Sequence, residues 1–426
     1  MQLWNEAVEL TTRAPKRRGE RSKKEGSKTQ EAQNGERARV LAQEGEYSRG
    51  LQALTSSGMA PQNRATEANL RAKHPPAPSE LGPLPTTEVS PLSVTLLEVE
   101  KSVKRFHRGS APGPSGLRPE HVKAALKAPP NRSDKALAGL TKLVNGMLAG
   151  KVPAAVAPYL CGARLHAAMK KDGGLRPIAV GNLVRRITAK CAASRVADKA
   201  VVHLSPLQLG VAVRGGCEAI SHAVREALER EPDKLLLQAD FINAFNTMDR
   251  TTVLEEVASF SPELLPWVST CYGTPSQLQY GTSLIPSATG LQQGDALASF
   301  LFSLALQPVL RKVEQEVPTL ALHVWFLDDG TAVGTKEELQ AVVDIVSREG
   351  ASRGLVLSTA ATTTAPRLPK STVWSPLHQG EEEESDPLAR GVPLVKEPGV
   401  TLLGTPIGNK EFVKKELEAK VLKIRK

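Results

Sequence analysis

Two adjacent aspartates, Asp328 and Asp329, lie between two β-prone stretches of the chain. The run LHVWF (residues 322–326) precedes them, and the run TAVG follows Gly330. An Asp-Gly dipeptide is a strong signal for a tight turn between antiparallel strands, so the sequence predicts a β-hairpin with both carboxylates at its tip. Like charges at a hairpin tip repel each other and gain no apolar contact. A bound cation would explain why they stand together.

A third aspartate, Asp240, ends the short apolar run LLLQADF (residues 235–241), which predicts a buried strand. Mg²⁺ binds carboxylate oxygens and fills the rest of its shell with water and phosphate oxygens. Two such ions between Asp240 and Asp328 would clamp the attacking and leaving oxygens of a phosphoryl transfer. The sequence therefore predicts two Mg²⁺ ions, with Mn²⁺ as the alternative, and one sheet that joins residues 235–241, 322–326 and 330–334.

The charge balance favours a polyanionic partner. The chain has 55 Lys and Arg against 45 Asp and Glu, a net charge of +10. A basic excess suits nucleic acid but also occurs in proteins that bind none. No CxxC pair and no run of 18 apolar residues occurs, and the first residues lack a signal pattern. We expect free cysteines in a reducing compartment, an intracellular protein (nuclear or cytoplasmic) and no membrane contact.

Hydrophobic periodicity predicts helices between these strands. They fall at residues 95–108, 119–128, 134–149, 183–201, 216–229, 251–259, 296–317, 336–350 and 411–426. The predicted helix at 183–201 carries Arg185, Arg186 and Lys190 at spacings of one, four and five, so part of one helix face is basic. We interpret these three side chains as contacts to a template backbone. An ordinary solvated helix face is the competing interpretation.

Six segments in order resemble the motifs of reverse transcriptases (RNA-directed DNA polymerases) of the non-LTR retrotransposon type. They are SAPGPSGLRPEHV (110–122), GGLRPIAVGNLVRRITAK (173–190), QADFINAFNTMDR (238–250), GLQQGDALASFLFSLAL (290–306), FLDDG (326–330) and LLGTPIG (402–408). The resemblance covers roughly residues 92–410, and six ordered motifs are more specific than any one of them. It implies primer extension with dNTPs on an RNA template and a DNA primer.

The resemblance also assigns metal and sugar contacts. Asp240 and Asp328 match the two metal-bridging carboxylates, and Asp329 matches the third acid of the box. Phe241 would offer its backbone carbonyl to the second metal. Phe245 would lie under the sugar of the incoming nucleotide and leave no room for a 2′-OH, with an ordinary core phenylalanine as the alternative.

Further positions are assigned by the same resemblance. Arg176 would neutralise the triphosphate as a planar bidentate donor. Gln293 and Gly294 would line the nucleotide pocket, whereas Gln292 and Asp295 are interpreted as scaffold. The turn that contains Leu403 and Gly404 (LLGTPIG) would grip the primer.

Three departures from the motifs matter. Ala296 replaces a usual proline, and Phe326 replaces a usual tyrosine. The lysine that would protonate the leaving pyrophosphate matches Lys370 only if residues 361–369 are set aside as an insertion. The role of Lys370 is therefore doubtful from the sequence alone.

The predicted fold is an α/β (α+β) right-hand polymerase, with helical fingers and an antiparallel palm sheet backed by helices. The predicted parts are a disordered basic tail (1–44), a partly ordered preamble with a Pro-rich linker (45–91), fingers (92–234), a palm (235–374), an acidic loop (375–398), and a primer grip with the start of a truncated thumb (399–426). We expect the chain to be a fragment of a larger element-encoded protein or a degenerate relic. Two alternatives stay open: a catalytically inactive palm kept as an RNA-binding scaffold, and an RNA-dependent RNA polymerase.

Overall fold

The computed structural model describes residues 30–43, 45–77, 84–170, 172–363, 368–377 and 391–425. The helices are Gln30–Gln43, Tyr47–Leu54, Arg64–Ala72, Leu96–Lys104, Pro119–Ala125, Pro130–Leu148, Ala157–Leu160, Leu183–Leu204, Gly216–Arg230, Ala244–Thr247, Arg250–Phe260, Leu265–Tyr272, Ala298–Glu316, Lys336–Ala351 and Lys410–Arg425, with a 3₁₀ turn at Pro262–Leu264. The strands are β1 (Ala163–Met169), β2 (Leu175–Gly181), β3 (Leu235–Ala239), β4 (Ser276–Tyr280), β5 (Ser283–Ser287), β6 (Leu322–Phe326), β7 (Asp329–Gly334), β8 (Thr372–Trp374), β9 (Leu394–Val395), β10 (Gly399–Leu402) and β11 (Thr405–Gly408).

The palm is a five-stranded sheet with the order β6-β7-β3-β8-β9. Antiparallel pairing joins β6 to β7, β7 to β3 and β3 to β8, and only the edge strand β9 runs parallel to its neighbour. The predicted α/β fold class is confirmed, and so is the sheet that joins the three predicted strands. Ala239 pairs with Gly330, so the next residue, Asp240, follows the same register toward Asp329.

Side chains of the palm strands alternate between two apolar layers, as a sheet covered on both faces requires. Leu237 and Trp325 belong to the main core, which includes the helices Ala298–Glu316 and Lys336–Ala351. Leu236 and Val324 face a second core, to which the helix Gly216–Arg230 and the β10–β11 hairpin contribute. The alternation therefore determines which side chains of each strand face the main core and which face the second core.

The turn between β6 and β7 differs from the sequence-based expectation. Phe326 pairs with Asp329, so the two turn residues are Leu327 and Asp328. Leu327 has a φ of +58°. Gly330 lies within β7, opposite Trp325, and a Cβ atom added there would lie 2.6 Å from the Trp325 ring. The Asp-Gly dipeptide therefore does not form the turn; its glycine leaves room for the indole.

The fingers combine helices with a four-stranded sheet of order β2-β1-β4-β5. The helices Leu96–Lys104, Pro130–Leu148 and Leu183–Leu204 contact one another. The first of them begins with a capping box between Thr95 and Glu98. Leu70 of the preamble packs fully buried against the sheet. The helices predicted from periodicity are all present with shifted ends, whereas none of the four strands of this sheet was predicted.

Two predicted irregular segments contain regular structure. The basic tail was predicted to be disordered through residue 44, yet residues 30–43 form a helix, because Ala38 and Leu41 bury against Ala53 of the next helix. Residues 1–29 and 44 of that tail lie outside the described residues, as do residues 378–390 of the predicted acidic loop. The end of that loop contains β9, which pairs with β8.

The described part of the chain contains no helix that is both long and apolar enough to cross a membrane. All four cysteines are free, as expected; three are buried and Cys217 is half-buried.

Gly330→Ala should destabilise the palm, because the new methyl group would overlap the Trp325 ring. Overpacking of this kind costs about 1–3 kcal/mol, which a thermal or denaturant unfolding curve would resolve. Gly139→Ala is the matched control, because a Cβ atom added at this helical position would have no neighbouring atom within 4 Å. We expect that control to gain about 0.5–1 kcal/mol from helix propensity. Equal stability of Gly330→Ala and the unchanged protein would contradict the packing role.

Candidate active site

Three carboxylates meet at one end of the palm sheet. Asp240 follows β3, Asp328 lies in the turn, and Asp329 begins β7. Burial raises the pKa of Asp328, and the Asp240 carboxylate adds to the rise. Burial, Asp328 and Asp240 together raise the pKa of Asp329 to about 7. Asp329 keeps more contact with solvent than Asp328, although its carboxyl group lies against the other two acids. The register of β3 and β7 and the β6–β7 turn place the three acids at the same end of the sheet, and their role as metal ligands stays a prediction.

The donor chemistry of this cluster suits Mg²⁺ or Mn²⁺. Its donors are carboxylate oxygens, and Mg²⁺ needs only one or two of them because water and phosphate fill its other positions. A cation between the carboxylates would also relieve the repulsion that raises two of their pKa values. Within the described ranges, no three His, Cys, Asp or Glu side chains form a group that could hold a metal ion. An ion bound at this cluster would therefore take most of its ligands from substrate and water.

Basic side chains surround the carboxylates. Lys370 Nζ lies 3.4 Å from Asp240 Oδ2. The charges of Arg176 and Lys370 oppose the burial that raises the pKa of Asp328. Lys170, which the sequence reading missed, is half-buried in the loop between β1 and β2. Burial lowers the pKa of its ammonium group, and the Lys370 and Arg176 charges lower it further while Asp240 opposes them.

Lys370 reaches the site because the chain returns to the palm sheet immediately before β8. The Ser358 backbone N–H donates to the Asp240 carbonyl (2.8 Å), and the Lys370 N–H donates to the Ser358 carbonyl (3.2 Å). Ser371 Oγ accepts from the Asp240 N–H at 3.1 Å. Residues 364–367 lie outside the described residues. Lys370 therefore lies beside Asp240 in space although 130 positions separate the two residues along the chain.

Two phenylalanines after Asp240 stack within the palm. Phe241 is buried and stacks on Trp325 of β6, with ring centroids 5.6 Å apart. Phe245 is half-buried and stacks on Phe302 of the long helix Ala298–Glu316, with centroids 4.7 Å apart and planes inclined by 16°. One ring therefore braces the strand end, while the other keeps part of its surface free.

Gln293 and Gly294 dock on the fingers strand that carries Arg176. The Ala179 N–H donates to the Gln293 carbonyl at 2.7 Å. Gly294 has a φ of +122°, and a Cβ there would lie 2.4 Å from the Ala179 oxygen. The loop that contains Gln293 and Gly294 therefore contacts β2. Only glycine allows so close an approach at position 294, because any Cβ atom would collide with the Ala179 oxygen.

The interpretation of Arg185 as a template contact is wrong. Its side chain is 2% exposed and pairs with Asp295 at 2.8 Å. It also donates to Gln292 Oε1, and Asp295 accepts from the Tyr272 hydroxyl at 2.7 Å. Burial alone would lower the pKa of Arg185, but the Asp295 carboxylate together with Cys271, Tyr272 and Cys161 raises the pKa overall. Arg185 therefore holds the fingers helix Leu183–Leu204 to the loop at residues 290–297. The interpretation of Gln292 and Asp295 as scaffold is confirmed.

Arg186 and Lys190 differ from Arg185 because they are only half-buried. The Arg186 guanidinium lies over the Phe106 ring at 5.0 Å, and Lys190 Nζ lies over the same ring at 4.4 Å. Burial lowers the pKa of Lys190, and the charges of Arg186, Arg105 and Lys123 lower it further. The four cations form a basic cluster on the fingers.

Leu403 and Gly404 form the tip of the β10–β11 hairpin. Their φ angles are +46° and +84°, as a two-residue hairpin turn of the I′ type requires. The Gly404 position is open, because a Cβ there would meet no atom within 4 Å. The tip can therefore approach another molecule.

Comparison with known proteins agrees with this geometry. The family described as reverse transcriptase (RNA-dependent DNA polymerase) matches residues 168–406, which is more than half of the chain. The matched range contains Arg176, the three aspartates and Lys370. A retrotransposable element SLACS 132 kDa protein from Trypanosoma brucei gambiense is 27% identical over 281 residues.

That alignment covers 64% of this chain but only 23% of the trypanosome protein, so the chain spans under a quarter of its relative's length. The family match covers the palm and the part of the fingers from residue 168 onward, where the carboxylates and their basic neighbours lie. The chain belongs to the reverse transcriptase family of RNA-dependent DNA polymerases.

Proposed function

We propose that this chain is an RNA-directed DNA polymerase that extends a primer 3′-OH with dNTPs, and that a retrotransposon encodes it. The observation that carries the proposal is the cluster of Asp240, Asp328 and Asp329 facing Arg176 and Lys370. The family match and the retrotransposable-element relative support it. Its expected place of action is intracellular, in the nucleus or the cytoplasm.

Asp240 and Asp328 would hold the two metal ions, with the Phe241 carbonyl as a further oxygen donor. The ions would supply positive charge to the attacking 3′ oxygen and to the leaving pyrophosphate. Asp329 is exposed at the edge of the cluster. Its carboxylate adds negative charge beside the other two and so strengthens the attraction for the ions.

The basic side chains would receive the triphosphate. Arg176 is exposed on β2 and presents a planar donor to phosphate oxygens. Lys170 would add a second cation next to it, and Lys370 lies closest to the carboxylates. A lysine ammonium there can pass a proton to the pyrophosphate oxygen as the phosphorus–oxygen bond breaks, which stabilises the leaving group.

The nucleotide pocket would be closed by Phe245, Gln293 and Gly294. Phe245 stacks on Phe302 and keeps an open edge, where a ribose 2′-OH would collide with the ring. The backbone of Gln293 and Gly294 packs against Ala179 of β2. This contact would keep that wall of the nucleotide pocket from moving outward. This arrangement favours dNTPs over rNTPs.

The template and primer would contact two separate surfaces. Arg186 and Lys190 offer positive charge on the fingers to the phosphates of the template. Leu403 and Gly404 at the hairpin tip would contact the primer strand. The primer 3′-OH would then react at the site formed by the palm carboxylates.

Asp328→Asn should abolish primer extension. The substitution removes a negative charge from the cluster and with it several kcal/mol of metal-assisted stabilisation, so extension should fall by at least about 10³-fold. The assay supplies a primed RNA template, Mg²⁺ and dNTPs. Asp198→Asn, an exposed position on the fingers helix, serves as the control and should retain full extension. Equal extension by Asp328→Asn and the unchanged protein would refute the assignment, and binding of the primed RNA without extension by either would favour the scaffold alternative.

Phe245→Ala should weaken discrimination against ribonucleotides. Removing the ring opens room for a 2′-OH, so the ratio of rNTP to dNTP incorporation should rise by about 10–100-fold. Single-nucleotide incorporation with each substrate measures that ratio, and Phe245→Tyr, which keeps the ring, should leave it unchanged. A fall in thermal stability with no change of the ratio would make Phe245 a core residue only, and equal use of both substrates by the unchanged protein would favour an RNA polymerase.

Replacing both Arg186 and Lys190 by glutamine should weaken nucleic-acid binding evenly across sequences. Each lost phosphate contact should reduce the slope of log K against log salt by about 0.7–0.9. Fluorescence anisotropy over a salt series measures the slope. Lys104→Gln is the control, because Lys104 already pairs with Glu100 at 2.6 Å on an exposed helix face. Identical slopes in all three proteins would remove this surface from the proposed template path.

A further inference from the structure

The segment Leu207–Gly210 runs along the free edge of β6, next to the catalytic turn. The Trp325 N–H donates to the Leu207 carbonyl at 2.7 Å, and the Leu209 N–H donates to the Trp325 carbonyl at 2.8 Å. Gln208 is thereby paired with Trp325 in parallel orientation. The segment extends the palm sheet by a short edge and brings one buried side chain level with the turn.

That side chain is the amide of Gln208, which is 1% exposed. Its Oε1 accepts from the Leu327 N–H at 2.7 Å and from the Gly210 N–H at 3.0 Å. Its Nε2 donates to the Leu327 carbonyl at 3.1 Å. The amide therefore brackets Leu327, the residue immediately before Asp328, through both of its backbone polar groups.

The bracketed residue has an unfavourable backbone conformation. Leu327 adopts a φ of +58°, a region that residues with a Cβ rarely occupy. Such a conformation persists only where surrounding contacts over-determine it. Here the two hydrogen bonds to Gln208 supply that constraint.

Gly210 closes the bracket from the other side. A Cβ atom there would lie 2.6 Å from the Leu327 nitrogen and 2.7 Å from its Cγ. The backbone of the segment is thus in direct contact with the turn. Any side chain at position 210 would push Leu327 away from Gln208.

We propose that Gln208 is a positioning residue for the polymerase reaction: it holds Leu327 in its left-handed conformation and so aims the Asp328 carboxylate at the metal site. This inference rests on the proposed polymerase function. Gln208 does not itself touch substrate; it acts through the backbone that carries Asp328. Because a misplacement of about 1 Å can cost about 100-fold in rate, a residue that fixes this backbone controls turnover.

The test replaces Gln208 by methionine, which has a similar length but makes none of the three hydrogen bonds. Gln307→Met is the matched control. Gln307 is also 1% exposed, but its amide donates to the carbonyls of His203 and Leu204 instead. Gly210→Ala is a second variant, which moves the turn without removing the glutamine amide.

Two readouts are measured on the full chain. The first is kcat and KM for single-nucleotide addition to a primed RNA template. The second is Mn²⁺ affinity, followed by the electron paramagnetic resonance signal of the free ion, which does not depend on turnover. Thermal unfolding and primer–template affinity report whether each variant is folded.

Gln208→Met and Gly210→Ala should each lower kcat by at least about 10-fold and weaken Mn²⁺ binding by about 5-fold or more, with KM for dNTP changed less than about threefold. Gln307→Met should leave kcat and Mn²⁺ affinity unchanged even where its stability falls. If the unchanged protein binds Mn²⁺ but does not polymerise, the proposed function fails. In that case, loss of Mn²⁺ affinity in Gln208→Met but not in Gln307→Met still supports the positioning role. The positioning role is overturned if Gln208→Met loses no Mn²⁺ affinity, if Gln307→Met loses as much as Gln208→Met, or if the unchanged protein does not bind Mn²⁺.

Discussion

The antiparallel register between β3 and β7 is the constraint on which the site depends. It sets Ala239 opposite Gly330, and therefore brings Asp240 close to Asp328 in the turn and to Asp329 at the start of β7. A slip of one residue would turn every side chain of β3 to the other face. Both faces of β3 are buried, with Leu236 in one core and Leu237 in the other, so such a slip is strongly disfavoured. Hydrophobic packing thereby holds together carboxylates that repel each other.

A second constraint concerns the path of the chain after residues 361–369. The residues that follow pair with β3, and Leu237 has Val373 of β8 as its neighbour. Once β8 is in place, Lys370 emerges beside Asp240 whatever the length of the preceding loop. Loop closure becomes only slowly more costly with added residues. The length of the segment 361–369 therefore does not prevent Lys370 from lying beside Asp240.

The buried pair of Arg185 and Asp295 joins the fingers to the loop that carries Gln293 and Gly294. Desolvation makes such a pair a weak source of net stability, whereas loss of one partner leaves an uncompensated charge and costs about 3–5 kcal/mol. The Cys161 carbonyl and Gln292 Oε1 accept further hydrogen bonds from Arg185, and the Tyr272 hydroxyl donates to Asp295. The network ties the predicted nucleotide pocket to the fingers helix with defined geometry. Arg186 and Lys190 lie on another face of the same helix, where they are half-buried, whereas Arg185 is fully buried.

The sequence by itself determined the family, the α/β class, the three aspartates and the strands that carry them, because ordered motifs and hydrophobic periodicity are local properties of the chain. It also indicated Gln292 and Asp295 as scaffold. Only the tertiary structure decided that Arg185 is buried, that Gly330 serves the Trp325 ring rather than the turn, and that Lys170 and Lys370 lie near Asp240. Gln208 carries no signal in the sequence, since its importance arises from a contact with a residue 119 positions away. Burial and long-range pairing depend on how distant segments pack, and spacing along the chain does not record them.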